Sequence, residues 1–281
     1  MFGTYRRLRR SLSTTIIFPF GARMVKWFLQ KKSFHEFMLR NEGRQWIDFL
    51  YETSDPLEKF SIIPHYEGFG GGETFSHIYR KNLWTGSESR SGPGSSLKET
   101  EQVRSLLPPL LKKYGIKTFV DIPCGDWNWM KTIDWSDVGV ERYFGGDIVS
   151  EIIDENKKRF GSDRCEFAPI DLTESPLPPG DLLLCRDCLV HLPYENIEKF
   201  LRNLHRSGIR YLLTTTFTNR PSNRDIKIGD WRPLNLESAP FCFPKPLEII
   251  VENSTERQGK DSDKSLGLWE VATLPESLKH Q

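Results

Sequence analysis

The sequence lacks an apolar run that would span a bilayer. The run at 16–20 is far shorter than the roughly 20 residues that a membrane-spanning helix needs, and Pro19 interrupts it. Cysteine is scarce, with five in 281 residues, an odd number that falls mostly in apolar or strand-like stretches. This usage favours a reducing compartment without disulfides. With no secretory signal pattern, we expect a cytoplasmic protein.

Signatures of metal and nucleic-acid binding are also missing. Cys185 and Cys188 have C-x-x-C spacing, but no second pair or histidine cluster accompanies them, so we expect no metal site. The net charge is only +1, which argues against a general nucleic-acid surface. The glycine-rich stretch 68–73 has no preceding strand and no following Lys-Ser/Thr. We therefore interpret it as a hinge or turn and not as a phosphate loop.

Charge is unevenly distributed along the chain. Residues 1–35 contain eight Lys and Arg residues and no acidic residue, so the remainder is net negative. Apolar residues between 16 and 29 accompany this charge, which allows a peripheral membrane contact through residues 1–32. An organelle transit peptide, rich in Arg and Ser and poor in acids, is a second interpretation. The third is a basic extension that folds onto the rest of the protein.

Hydrophobic periodicity predicts helices before residue 117 and alternating strands and helices after it. This order predicts a parallel α/β sheet closed by a C-terminal hairpin-like pair. We accordingly divide the chain into a basic N-terminal extension with a helical cap, 1–85, and a main domain, 86–281. The predicted helices are 34–53, 74–84, 97–114, 150–160 and 193–207, and the predicted strands are 117–122, 143–147, 165–167, 181–186, 210–217, 247–252 and 266–274.

A polar loop, 86–96, precedes the predicted helix 97–114. Ser95 or Ser96 can cap this helix, and Glu99 stands where a capping box expects an acid. The two prolines at 108 and 109 are expected to kink it. The loop itself has two interpretations: it is a linker, or its hydroxyls and glycines line a polar ligand.

The first predicted strand ends in Asp121-Ile-Pro-Cys-Gly125, an acid followed by a tight turn. Open α/β sheets place their ligands at such strand ends, where the next helix points free N–H groups and its positive dipole end into the crevice. Two further acids, Asp147 and Asp171, follow the second and third strands. Three acids in order at three successive strand ends indicate a common ligand-binding edge.

These motifs resemble those of the class I S-adenosylmethionine-dependent methyltransferases over about residues 86–274. Asp121-Ile-Pro-Cys-Gly125 is similar to the family's first motif, around the methionine part of the cofactor. Asp147 is similar to the acid that accepts hydrogen bonds from the ribose, and Asp171-Leu172 to the acidic position near the adenine. Arg186-Asp-Cys-Leu-Val-His191-Leu-Pro is similar to the segment that lines the methyl-transfer site.

The resemblance implies an α/β fold with a Rossmann-like, mostly parallel seven-stranded sheet and an antiparallel last strand, here with an N-terminal helical extension. It implies S-adenosylmethionine as the cofactor. Asp187 and His191 are the expected catalytic residues, a general base and its neighbour four positions away. The expected cofactor-binding residues are Asp121, Pro123, Gly125, Asp126, Trp127, Asp147, Ile148, Asp171, Leu172 and Arg186.

Two departures from the family pattern affect these expectations. Pro123 and Trp127 occupy two of the three glycine positions of the first motif, so fewer backbone donors are available to the cofactor. The helix expected between strands five and six is replaced by 218–246, rich in Pro, Asn, Arg and aromatics, which we interpret as a lid or acceptor-binding loop. Trp231 and Arg232 are candidate substrate contacts there.

The function predicted from these features is methyl transfer to a small polar acceptor, with oxygen as the favoured atom. Trp127 or Trp129 would sit against the cationic sulfonium. A nicotinamide-dependent oxidoreductase is a second hypothesis, but it needs a G-x-G-x-x-G turn that the sequence does not supply. A catalytically inactive cofactor-binding or membrane-attached scaffold is a third. No nucleic-acid partner is expected.

Overall fold

The structure is a computed structural model, and it describes residues 70–135 and 137–279. Its strands are β1 (Thr118–Asp121), β2 (Arg142–Asp147), β3 (Cys165–Pro169), β4 (Leu182–Cys185), β5 (Tyr211–Phe217), β6 (Glu248–Val251) and β7 (Lys264–Glu270). Its α-helices are α1 (Gly71–Lys81), α2 (Glu101–Lys113), α3 (Ser150–Phe160) and α4 (Tyr194–Ser207). Each strand and helix predicted after residue 117 is present, with ends that differ by a few residues at most.

The seven strands form one sheet in the order β3-β2-β1-β4-β5-β7-β6. Strands β1 to β5 pair in parallel, whereas β7 is antiparallel to both of its neighbours, β5 and β6. The predicted parallel sheet with a C-terminal antiparallel pair is confirmed. The chain runs outward from β1 to β2 and β3 and then returns to β4, so a topological switch point lies between β1 and β4, where open α/β sheets bind ligands.

Two apolar layers enclose the sheet, one on each face. One layer contains Val103, Leu107 and Leu111 of α2, and the other contains Ile197 and Phe200 of α4. These spacings of three and four residues place the apolar side chains on one face of each helix. Because β5 is covered on both faces, all seven of its residues are buried.

Helix α1 begins inside the glycine-rich stretch that was interpreted as a hinge or turn. That interpretation is wrong for Gly71, Gly72 and Glu73, which are helical. A Cβ atom on Gly71 would lie 3.2 Å from Ile228 and 3.5 Å from Ile148, so the missing side chain lets the helix approach both residues closely. The division at residues 85 and 86 stays a prediction.

Helix α2 begins later than predicted, at Glu101, with Thr100 as its N-cap residue. One half of the predicted capping box is present, because Ser96 Oγ accepts the Glu99 backbone N–H at 3.3 Å. The other half is wrong, because the Glu99 carboxylate accepts hydrogen bonds from Ser254 Oγ and the Thr255 backbone N–H, both at 2.9 Å. The acid therefore joins α2 to the segment after β6. The helix continues through both prolines.

The segment 218–246 contains neither helix nor strand. Arg232 anchors it from within, and its side chain is completely buried. Its guanidinium donates to the carbonyl oxygens of Leu189 at 2.7 Å, Leu192 at 2.6 Å and Arg224 at 3.2 Å. These bonds fasten the segment to the turn after β4, which gives Arg232 a structural role in place of the predicted substrate contact.

The basic N-terminus and the predicted helix 34–53 lie outside the described residues. Within 70–135 and 137–279, no helix combines the length and the apolar character needed to cross a membrane.

Candidate active site

Asp147 ends β2 at the ligand-binding edge of the sheet and is 5% exposed. Its Oδ2 accepts the backbone N–H of Gly125 at 3.1 Å, and its Oδ1 accepts that of Val149 at 2.9 Å. Burial raises the pKa of Asp147 to about 6, although these bonds favour the ionised form. A carboxylate offers about four lone-pair sites, so both oxygens can accept further hydrogen bonds from a diol.

Asp121 ends β1 beside this group and is also buried. Its Oδ2 accepts the Tyr143 hydroxyl at 2.7 Å. Burial raises the pKa of Asp121 to about 7, and the Asp147 carboxylate adds to the rise. The two predicted acids therefore stand at neighbouring strand ends with neutral hydrogen-bond donors as their partners.

The polar loop 86–96 covers the turn after β1. Asp126 accepts Ser89 Oγ at 2.8 Å and the Arg90 backbone N–H at 2.9 Å, while its own N–H donates to Ser91 Oγ at 3.0 Å. Gly125 has φ +54°, and a Cβ there would lie 2.4 Å from Ser91 Oγ. These contacts place the loop beside the predicted cofactor residues, as its ligand-lining interpretation requires.

The two tryptophans of the motif occupy different surroundings. Trp127 is buried against the rings of Tyr143, Phe160 and Phe167, at centroid distances of 5.5, 4.7 and 5.5 Å. It fills the core under the turn. Trp129 instead packs against the Arg186 guanidinium, 5.7 Å from its ring centroid, on the side of the switch point.

The remaining predicted cofactor residues lie around the same edge. Asp171 Oδ1 accepts both the N–H and the hydroxyl of Thr173, at 2.9 and 2.7 Å, as a turn-forming Asp does. Leu172 is buried in the core. Ile148 is half-buried below α1, and Pro123 is half-buried in the turn. Their roles in binding stay predictions.

Arg186 follows β4 and belongs to a group of five charged residues, which we call the charge cluster: Arg186, Asp187, Glu252, Glu256 and Lys264. The Arg186 guanidinium donates to both carboxylate oxygens of Glu252, at 3.1 and 2.8 Å, and to the carbonyl of Gly94 at 2.9 Å. Its Nη1 lies 3.2 Å from Asp187 Oδ2. Each Arg186 nitrogen in these contacts is thus directed at a group of the protein itself.

Asp187 Oδ2 accepts a 2.6 Å hydrogen bond from Lys264 Nζ. Burial by itself would raise the pKa of Asp187, but Lys264 and Arg186 outweigh burial and hold the pKa at about 2. Asp187 is therefore ionised near neutrality and is a weak base. Its φ of +53° directs the chain into the turn Leu189–His191.

His191 lies in that turn with its ring buried and stacked on Trp84, at a centroid distance of 5.1 Å. Its Nδ1 is 2.9 Å from the Asp230 carbonyl oxygen. A carbonyl only accepts, so Nδ1 carries the proton of the neutral ring and Nε2 is the basic atom. Burial lowers the pKa of His191 to about 4, although Asp230 and Asp187 raise it.

Asp187 and His191 therefore have different hydrogen-bond partners: the Asp187 carboxylate accepts from Lys264, and the imidazole of His191 is oriented by the backbone carbonyl of Asp230. Trp231 packs against Arg257, whose guanidinium is 4.7 Å from its ring centroid. Within the described residues, no group of three His, Cys, Asp or Glu side chains is arranged to hold a metal ion.

Sequence reasoning missed four residues of this edge: Trp84, Glu252, Glu256 and Lys264. The carboxyl ends of parallel β4 and β5 lie at the same edge as the carboxyl end of β6 and the amino end of β7, because β7 is antiparallel. The acid after β6 and the lysine at the start of β7 were the available signal. These residues could be assigned to the site only if the positions of β6 and β7 in the sheet were known.

No protein-family model matches the chain, and no curated protein matches it. Solved structures that resemble it include the methyltransferase domain of bacterial CtHen1, 14% identical, with 61% of this chain and 98% of that one covered and a TM-score of 0.45. Human N-acetylserotonin methyltransferase with SAM is 16% identical, with 83% and 68% covered and a TM-score of 0.47. Magnesium protoporphyrin IX methyltransferase of Synechocystis PCC 6803 with bound SAH is 16% identical, with 56% and 78% covered and a TM-score of 0.38.

The chain itself shows the seven-stranded sheet, the antiparallel β7 and the motif-bearing turns at the carboxyl ends of β1, β2 and β4. It has a Rossmann-like α/β fold, with a mostly parallel seven-stranded sheet and an antiparallel β7.

Proposed function

We propose that the chain is an S-adenosylmethionine-dependent methyltransferase that acts on a small polar acceptor, with oxygen as the acceptor atom. The observation that carries this proposal is the carboxylate of Asp147 at the end of β2, beside the turn after β1 and next to the switch point. It is buried, and within 70–135 and 137–279 its hydrogen-bond donors are backbone N–H groups, which fits a group that accepts hydrogen bonds from a ribose diol.

On the cofactor side, Asp147 would bind the ribose and the turn around Gly125 would approach the methionine part. Asp171 and Leu172 would lie towards the adenine, since they follow β3 at the same edge. Asp121 and Asp147 have no cation hydrogen-bonded to them among the described residues, so a cationic ligand would stabilise their ionised forms. S-Adenosylmethionine would supply an electrophilic methyl group on a sulfonium centre.

On the acceptor side, Asp187 and His191 stay the proposed catalytic pair. Asp187 is held ionised by Lys264, so it would orient the acceptor by accepting a hydrogen bond from a polar group next to the hydroxyl that is methylated. His191 would present Nε2 to the same site, because Asp230 fixes its tautomer. The segment 218–246, anchored by Arg232, would exclude water above them.

The direct test is titration calorimetry of the full chain with S-adenosylhomocysteine and, separately, with NAD. We expect S-adenosylhomocysteine to bind and NAD to bind at least about tenfold more weakly, since the turn lacks G-x-G-x-x-G. Release of S-adenosylhomocysteine from S-adenosylmethionine is then measured over a panel of hydroxylated metabolites and sugars. Preferential NAD binding would replace the methyltransferase with the oxidoreductase, and cofactor binding without turnover on any acceptor would leave a scaffold.

A further inference from the structure

The charge cluster contains more negative than positive groups. Its two cations, Arg186 and Lys264, face three carboxylates, those of Asp187, Glu252 and Glu256. When all five are ionised, one carboxylate has no cation of its own. Buried charges need a partner, so the least compensated carboxylate is the member that takes a proton most readily.

The distances identify that member. Glu252 receives both arms of the Arg186 guanidinium and also lies 3.5 Å from Lys264 Nζ. Asp187 lies 2.6 Å from Lys264 Nζ and 3.2 Å from Arg186 Nη1. Glu256 has a single ion pair among the described residues, a 3.3 Å contact to the same Lys264 Nζ. Glu256 is therefore the least compensated of the three.

Glu256 also faces the ligand-binding edge. Its side chain and that of Asp187 are each 27% exposed, whereas those of Arg186, Lys264 and Glu252 are at most 4% exposed. Glu256 follows β6 and stands beside the amino end of β7, at the edge where the segment after β4 begins. A Cβ on Gly94 would lie 3.1 Å from both Glu256 Oε2 and Asp187 Oδ2, so the two oxygens converge.

We propose that Glu256 is the proton acceptor of the methyl transfer, while Asp187 orients the acceptor by accepting a hydrogen bond from a second polar group of that molecule. This inference rests on the proposed function. The acceptor oxygen uses a lone pair to form the new bond to the methyl carbon. The bond from that carbon to sulfur breaks, its electron pair stays on sulfur, and the hydroxyl proton passes to a Glu256 carboxylate oxygen.

The electrostatic surroundings agree with this division of roles. Burial and the Asp187 carboxylate raise the pKa of Glu256, and they outweigh Lys264 and Arg186, which lower it. The pKa of Asp187 is held at about 2. Of the two exposed carboxylates, Glu256 is the stronger base and Asp187 the permanent hydrogen-bond acceptor.

The test compares Glu256→Gln and Glu256→Asp with Glu276→Gln, which removes an exposed carboxylate elsewhere. Titration of the carboxyl carbons by NMR, on glutamate-labelled full chain, needs no acceptor. We expect one glutamate to titrate above the ordinary range and its signal to be lost in Glu256→Gln. With an acceptor from the panel, Glu256→Gln is expected to lose about 10²-fold or more in turnover, with Glu256→Asp restoring part of it.

Affinity for S-adenosylhomocysteine separates the possible failures. Glu256→Gln is expected to bind it within about twofold of the unaltered chain, because Glu256 lies on the acceptor side. If the unaltered chain does not bind it, the proposed function fails. If it binds and turns over, but Glu256 titrates in the ordinary range or Glu256→Gln keeps full turnover, the methyltransferase stands and Glu256 is not its proton acceptor.

Discussion

The pKa values of Asp121 and Asp147, on the cofactor side of the candidate site, are shifted in the opposite direction from that of Asp187, on the acceptor side. On the cofactor side, Asp121 and Asp147 have neutral donors, a tyrosine hydroxyl and backbone N–H groups, and burial raises their pKa values to about 7 and about 6. On the acceptor side, two cations hold the pKa of Asp187 at about 2. The difference teaches that the carboxylates expected to meet the cationic ligand have neutral hydrogen-bond donors, whereas Asp187, on the side of the neutral acceptor, is paired with Lys264 and Arg186.

The largest expected effect is a loss of folding stability when the charge cluster on the acceptor side loses one of its two cations. Lys264→Met leaves three carboxylates of the charge cluster with one guanidinium, and removal of one partner from a buried ion network costs about 3–5 kcal/mol. Lys199→Met is the matched control, since it removes an exposed pair with Glu195, and exposed pairs contribute little to stability. Urea unfolding measures both. Equal losses in the two variants would mean that the cluster contributes no more than a surface pair.

The next effect comes from the turn on the cofactor side. Gly125→Ala combines a positive φ, which costs an L-residue about 1–2 kcal/mol, with a Cβ placed 2.4 Å from Ser91 Oγ. Gly115→Ala is the control, because its φ of +64° brings the same strain with no heavy atom within 4 Å of the new Cβ. We expect Gly125→Ala to be the more destabilising in urea unfolding and to weaken S-adenosylhomocysteine binding.

A third variant tests whether the contact with Ser91 causes the extra destabilisation expected of Gly125→Ala. Ser91→Gly combined with Gly125→Ala removes the contact but keeps the strain. Measured against Ser91→Gly, which by itself loses the hydrogen bond from the Asp126 N–H, the added Gly125→Ala should cost about as much as Gly115→Ala costs the unaltered chain, because residues in contact are not additive. A double variant as unstable as the sum of its parts would show that Ser91 is not what Gly125 accommodates.

His191→Ala separates the chemistry from cofactor binding. We expect turnover to fall by at least about tenfold while S-adenosylhomocysteine affinity changes little, because the imidazole lies on the acceptor side. Since burial lowers the pKa of His191 to about 4, its titration should leave no acid limb near pH 6.5 in the rate profile. A profile with a limb near 6.5 that disappears in His191→Ala would contradict this environment.

The smallest effect concerns pH and the cofactor side. Ribose hydroxyls favour the ionised Asp147, whose pKa in the ligand-free protein is about 6. Protonation therefore competes with binding, and S-adenosylhomocysteine affinity should fall by roughly tenfold for each pH unit below 6. Calorimetry between pH 5 and 8 measures it. Affinity that stays constant over this range would exclude a ligand that needs the ionised carboxylate.

Sequence patterns predicted the cofactor side better than the acceptor side. Asp121 and Asp147 each end a short apolar run, so strand periodicity alone places them at one edge. The partners of Asp187 could not be found this way. Lys264 is 77 residues away along the chain, and its position depends on β7 inserting between β5 and β6.

The predicted starts of helices α1 and α2 were wrong for a related reason. Glu99 has the spacing of a capping box, yet it binds Ser254 and Thr255, more than 150 residues away. Gly71 and Gly72 carry a weak local helix preference, and close packing against Ile148 and Ile228 overrides it. In both cases a tertiary contact outweighed the local signal.

The measurement that most directly tests the two-sided account is the S-adenosylhomocysteine affinity of Asp147→Ala beside that of Asp187→Asn. The account predicts that Asp147→Ala weakens binding by about 1.5–3 kcal/mol, the range for hydrogen bonds to a charged group, while Asp187→Asn stays within about twofold of the unaltered chain. Circular dichroism confirms that each variant is folded. Unchanged affinity in folded Asp147→Ala, or an equal loss in Asp187→Asn, would contradict the assignment of Asp147 to the cofactor and Asp187 to the acceptor.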